Sequence, residues 1–203
     1  MWTGIRETLP HVSIHGCAFH WAQAVFRKVK EVGLQTSYHR QPQVRSFIRQ
    51  LMALPHLPAN HIERAFFNLQ QHCPDNTQLK TVVDYIGKSW VHSTKCPPSS
   101  WSSFKRPVRT NNDAEGWHHS LNSDARGQAL NLYLLIQLLH KEASLLPIQI
   151  KLVQQKKLYR QQRKSQKTKY QRLELLTTQY VNEEIDTSSF LIKCSSLAEY
   201  SED

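Results

Sequence analysis

The sequence predicts a mainly helical protein with a single residual strand. Apolar residues recur at a period near 3.6 over most of the first hundred positions, and proline and glycine fall where helices start and stop. Only one short stretch alternates with a period of two. A chain of 203 residues is long enough to bury a core. Its 6 Gly, 9 Pro and 4 Cys exclude collagen, coiled-coil rods and disulfide scaffolds. Hydrophobic content of 39%, charged content of 21% and a mean hydropathy of −0.55 suit a packed part followed by a solvated tail.

Taken in order, Thr3–Leu9 reads as a short helix. His11 to His20 carries Val12 and Ile14 in alternation and is the strand candidate. Phe19, Ala22, Val25, Phe26, Val29 and Val32 then fall on one helical stripe, with Gly33 where a C-cap belongs. Pro42 suits the first turn of the next helix, whose Val44, Phe47, Ile48, Leu51 and Met52 share a face before Pro55 ends it. Pro58 and Asn60 open another, with Ile62, Ala65, Phe66 and Leu69 inward, and Asn76 starts one with Leu79, Val82, Val83, Ile86 and Trp90 as its stripe. Cys96-Pro-Pro-Ser-Ser-Trp-Ser-Ser is a loop. A helix is expected over 112–124, and helix again from Leu130 to about Tyr180 with a break or kink at Pro147. A lone strand has no ladder partner, which suggests that the chain is part of a larger domain.

The apolar stretch from Leu130 to Ile150 is interrupted by Asn131, Gln137, His140, Lys141 and Glu142, so it reads as a buried helix and not a membrane span. No apolar secretory segment follows Met1, and the four cysteines lie far apart. An intracellular protein with reduced thiols is expected.

A formal charge of +10 favours a polyanionic partner, DNA foremost. Nine basic residues and no acidic one lie between Lys151 and Arg172. Such a run fits a solvated helix face as well as a phosphate-tracking segment or nuclear-import signal. A second basic set lies at Arg27, Lys28, Lys30, Arg40, Arg45 and Arg49, and again at Lys105, Arg106 and Arg109. The last 25 residues carry Glu183, Glu184, Asp186, Glu199, Glu202 and Asp203 and are expected to be disordered.

Two polar constellations stand out. Cys17 and His20 lie three apart where the strand should enter a helix; they suit a metal, but structural zinc takes four ligands, and a buried thiol beside a hydrogen-bonded imidazole is the plainer reading. In the second, Asn112 and Glu115 fit a capping box. His118 and His119 lie one turn beyond Glu115, so these three side chains can face one divalent cation or phosphate. Trp21, Trp90, Trp101 and Trp117 offer rings for stacking on bases, although core packing is the simpler role for each.

These blocks resemble the C-terminal part of the catalytic domain of Mutator-like element transposases. The resemblance rests on His15-Gly-Cys-Ala-Phe-His-Trp-Ala-Gln-Ala24, Arg27-Lys-Val, Glu31-Val-Gly-Leu34, Tyr38, Leu51-Met-Ala-Leu54 and Pro58. It continues through Trp101, Arg109-Thr-Asn-Asn-Asp-Ala-Glu-Gly-Trp-His118, Leu132-Tyr-Leu-Leu-Ile136 and His140-Lys-Glu-Ala143. It implies a partial ribonuclease-H-like (integrase-like) α/β domain with a helical insertion. Glu115 would be the third acid of an Asp-Asp-Glu triad and a ligand of Mg²⁺ or Mn²⁺, with Cys17 and His20 as the family's Cys-x-x-His pair and Zn²⁺ a further option there.

The resemblance places the two triad aspartates before Met1, so residues 1–146 are expected to be a truncated catalytic domain. Its parts would be a strand near 11–20, a helical insertion over 21–95, the Glu-bearing helix over 112–124 and a buried helix over 130–146. A basic helical extension, 147–178, and an acidic tail, 179–203, follow. Asp84, Asp113 and Asp124 sit on predicted helices and are not expected to replace the missing acids. Two cations about 3.5–4 Å apart need clustered carboxylates, so Glu115 alone is expected not to support catalysis. The expected function is a DNA-associated, nuclear transposase fragment that contacts nucleic acid through Arg109, Asn111, Asn112, His118, His119, Lys156, Lys157, Arg160, Arg163 and Lys164. A homo-oligomer or a transposase is a possible partner, and no membrane is involved. The alternatives are an active transposase with a misplaced start, and a helical interaction module or relic without catalysis.

Overall fold

The computed structural model describes residues 4, 7–106, 112–126, 129–157 and 164–197. They form two compact units, Met1–Thr110 with Lys169–Asp203, and Asn111–Thr168. The protein is mainly helical, and no strand occurs among the described residues.

The first unit opens with helix α1, Ala18–Glu31, whose Trp21, Val25, Phe26 and Val29 are buried on one stripe. Its end is a Schellman motif: Gly33, at φ +76°, donates its N–H to the Lys30 carbonyl, and Leu34 donates to Val29. Leu34 and Val29, both fully buried, complete the motif's apolar contact. Helix α2, Gln35–Arg40, buries Tyr38, and α3, Pro42–Ala53, begins on proline and buries Val44, Phe47, Ile48, Leu51 and Met52. A 3₁₀ turn at Leu54–His56 leads to α4, Ala59–Gln71, and Asn76 caps α5, Thr77–Ile86, by accepting the Leu79 N–H at 3.0 Å. A π-helical turn at Gly87–Val91 and the short α6, Pro98–Trp101, follow. Helix α1 packs on α3 and α5, and α4 packs on α6. Each fully buried Leu, Ile or Phe in this core contributes about 1.5–3 kcal/mol.

The expected strand does not form. Residues 12–17 have no regular structure, and Gly16 donates its N–H to the Ser100 carbonyl at 2.7 Å. That bond holds the segment to a loop; it does not build a ladder.

The acidic tail is also corrected. Helix α10, Thr187–Ser195, packs on α3, with Phe190, Leu191 and Cys194 buried. Asp186 caps it, accepting the Ser189 N–H at 2.7 Å; hydrogen bonding from the Ser189 side chain first, and from this N–H second, holds its carboxyl below the usual carboxylate range. The acidic residues Glu183 and Glu184 occupy the turn before the cap, so composition described the turn and missed the apolar face after it. Helix α9, Lys164–Val181, likewise contributes buried Leu173, Leu176 and Thr177 to the first unit, so 147–178 is not a separate extension.

The second unit holds α7, Asn112–Asp124, the range expected for the Glu-bearing helix, and α8, Leu132–Gln154. Asn131 caps α8 by accepting the Leu134 N–H at 3.0 Å. The helix runs through Pro147 without interruption and ends after Gln154. Residues 130–146 are not a buried helix, because α8 has no buried residue at all. Its neighbour α7 is shorter and meets it through Lys141 and Asp124, 3.4 Å apart, which leaves most of its apolar surface uncovered among the described residues.

Candidate nucleic-acid interface

Cys17 is the extended N-cap of α1 (φ −96°, ψ 129°) and makes no side-chain cap bond. Its thiol is half-buried, while His20, one turn on, is exposed with its ring edge-on to Phe19 at 5.7 Å. The helix start thus sends the two side chains into different surroundings. Among the described residues no group of three or more His, Cys, Asp or Glu side chains can hold a metal ion. Cys17 and His20 supply two of the four ligands of a closed zinc site, and among the described residues Glu115 is not part of a carboxylate cluster that fits two cations.

Nearby His15 lies close to the Arg106 guanidinium. Partial burial first, and that cation second, hold its imidazole below the ordinary histidine range.

On α7, Glu115, His118 and His119 are exposed at positions i, i+3 and i+4, one surface of the helix. Trp117, 43% exposed, sits edge-on to His118 at 5.1 Å. Arg109 and Asn111 lie outside the described residues, as do Arg160 and Arg163. Asn112 and Lys164 begin α7 and α9 respectively, but their side chains lie outside the description, which leaves the expected capping box outside it as well.

The basic run is positioned by the end of α8. Lys156, in the left-handed region at φ +55°, donates its N–H to Val153, and Lys157 donates to Leu152, a second Schellman ending. This turn puts Lys156 and Lys157 against the negative end of the helix dipole, with Lys151 one turn earlier. All three side chains are exposed, as are Lys167 and Arg172 on α9.

Three of the tryptophans go to the core. Trp21 and Trp101 stack at 4.4 Å with an 8° tilt, each 2% exposed, and Trp90 meets Trp21 edge-on at 5.2 Å. Trp21 donates to the Leu51 carbonyl and Trp101 to that of Cys96. None of these three rings is free to stack on a base.

Sequence reasoning missed an open groove of about 790 Å³ in the first unit, lined by Asn60, His61, Arg64, Phe104, Tyr180 and Thr187 among others. The Tyr180 hydroxyl lies 2.7 Å from His61 Nδ1 and 3.0 Å from Thr187 Oγ1. No local motif joins residues so far apart in the chain. Arg64 is offset at its rim by Glu183 and Asp186, so the groove has no strong sign of charge.

Comparison with known protein families, with characterised proteins and with solved structures finds no match for this chain.

Proposed function

We propose that this chain is a nuclear, DNA-associated portion of a Mutator-like transposase catalytic domain, with its helices belonging to a ribonuclease-H-like fold, and that it binds DNA without cutting it. The observation that carries the reading is the run from Lys151 to Arg172, nine cations and no acid. Five of those cations, Lys151, Lys156, Lys157, Lys167 and Arg172, stand exposed. Phosphate neutralisation by such side chains releases counterions and supplies affinity that does not depend on sequence.

On this reading Glu115 is the remaining triad acid, exposed on α7 beside His118 and His119. The family's two aspartates match no position of this chain, and one carboxylate does not hold a pair of Mg²⁺ or Mn²⁺ ions. His118 and His119 then act as phosphate contacts.

The test is fluorescence anisotropy of a labelled duplex with the full chain across a salt series. With about three to five phosphates neutralised, log K falls against log salt with a slope of about −3 to −5. Undetectable or salt-insensitive binding overturns the proposal. Magnesium-dependent nicking abolished by Glu115→Gln overturns its non-catalytic half.

A further inference from the structure

Helix α8 carries a heptad that the DNA reading does not use. From Leu132 the apolar residues step by four and three: Leu132, Ile136, Leu139, Ala143, Leu146, Ile150 and Val153. In heptad terms Leu132, Leu139, Leu146 and Val153 are d positions, and Ile136, Ala143 and Ile150 are a positions. Leu at d with β-branched Ile at a is the combination that favours a parallel pair of helices.

The structure leaves this stripe open. Leu132, Ile136, Leu146, Ile150 and Val153 are each more than half exposed, and Leu139 is 39% exposed. Lys141, whose ammonium meets Asp124 of α7 at 3.4 Å, occupies an f position, directly opposite the a/d seam. The partly covered residues Leu135, Leu138, Glu142 and Leu152 all fall at g and c. Helix α7 meets α8 at the f position of Lys141, away from the seam, and Leu134 and Ile148, also at f, stay exposed at 47% and 59%.

The geometry points to a second copy of this chain as the occupant, its α8 laid parallel against the first. The helix is about 34 Å long at 1.5 Å per residue. Covering the six large seam residues removes on the order of 500 Å² per copy. Two copies then bury about 1,000 Å², the lower bound for a specific interface. No like charges oppose the pairing, since the e and g positions are Tyr133, His140, Pro147 and Gln154, and Leu135, Glu142 and Gln149. A small Ala at the central a position and a proline at e keep the pair modest, in the micromolar range.

Sedimentation velocity of the full chain without nucleic acid, from about 1 to 100 µM, tests this. A reversible monomer–dimer transition is expected, with Leu139→Glu and Ile150→Glu each raising the midpoint at least about tenfold and Ile148→Glu, on the back of the helix, leaving it unchanged. These residues are exposed, so far-UV circular dichroism should be unaltered in each variant. Independently, Leu139→Cys should cross-link to itself across a parallel pair, and Ile148→Cys should not. A chain that is monomeric throughout assigns the stripe to another protein or segment and overturns the proposal, as does equal loss of dimer on Ile148→Glu or cross-linking at 148 in place of 139. The DNA-binding measurement is separate, so either reading can fail alone.

Discussion

The Tyr180 hydroxyl lies 2.7 Å from Nδ1 of His61, a residue 119 positions earlier in the chain. It joins the C-terminal half of α9 to the first turn of α4, while the ring beneath it packs on Phe190 at 4.7 Å. Tyr180→Phe should keep that packing and lose only the hydroxyl's bonds to His61 and Thr187, at a cost of about 1 kcal/mol. Tyr180→Ala should lose the ring as well and cost about 3 kcal/mol. Urea denaturation of the two variants separates these contributions.

Two glycines should respond in opposite directions to the same substitution. A Cβ on Gly16 would stand 2.9 Å from Trp101 Cβ and 3.1 Å from its Cα, so Gly16→Ala must displace the tryptophan stack, at about 1–3 kcal/mol. Gly116, inside α7, has open space around it, and Gly116→Ala should stabilise that helix by about 0.5–1 kcal/mol. Tryptophan fluorescence reports the first change, and hydrogen exchange over 112–124 the second.

Phe190 is fully buried. Phe190→Ala should destabilise the first unit by about 3–5 kcal/mol, and a disordered tail would show no change. Thermal unfolding followed by circular dichroism decides it.

For His15 the folded-state pKa is lowered, so the unfolded chain binds more protons in the window below the ordinary imidazole value of about 6.5. Stability from this site should rise with pH through that window and level off above it. A ¹H–¹⁵N histidine titration should place His15 below an exposed imidazole. Arg106→Gln should bring it only part of the way back, because burial is the larger cause.

Lys156 ends α8 and, on the proposed function, also contacts phosphate, two roles that one substitution can separate. Lys156→Gly should relieve the left-handed strain at the end of α8, by about 1 kcal/mol, and lower the salt slope of DNA binding by about one. Weaker helix protection in hydrogen exchange at 150–155 would contradict the first expectation.

Local chemistry made much of the first unit legible. Val25, Phe26 and Val29, the Gly33 ending, Pro42 at a helix start and the Asn76 cap act within a few residues, and each stands where periodicity and punctuation put it; the stripe differs in burying Trp21 and leaving Phe19 exposed. What failed depended on distant partners. Val12 and Ile14 alternate as a strand would, yet a strand needs a ladder, and Gly16 finds only the Ser100 carbonyl. The apolar density of α8 reads as burial, but burial requires a neighbour that α7 is too short to supply. At the candidate interface, the exposure of Glu115, His118 and His119 follows from one helix surface, whereas the groove beside His61 depends on α4 and α9 meeting from opposite ends of the sequence.

The insertion of Phe190, Leu191 and Cys194, after Leu173 and Leu176, into a core made mostly from residues 21–101 affects the protein's birth. On the ribosome, α1 to α6 emerge early and must wait with an unfilled slot on α3 until the last turns leave the exit tunnel. During that interval the nascent chain is exposed to chaperones and proteases, and a premature stop anywhere before position 190 would make that vulnerability permanent.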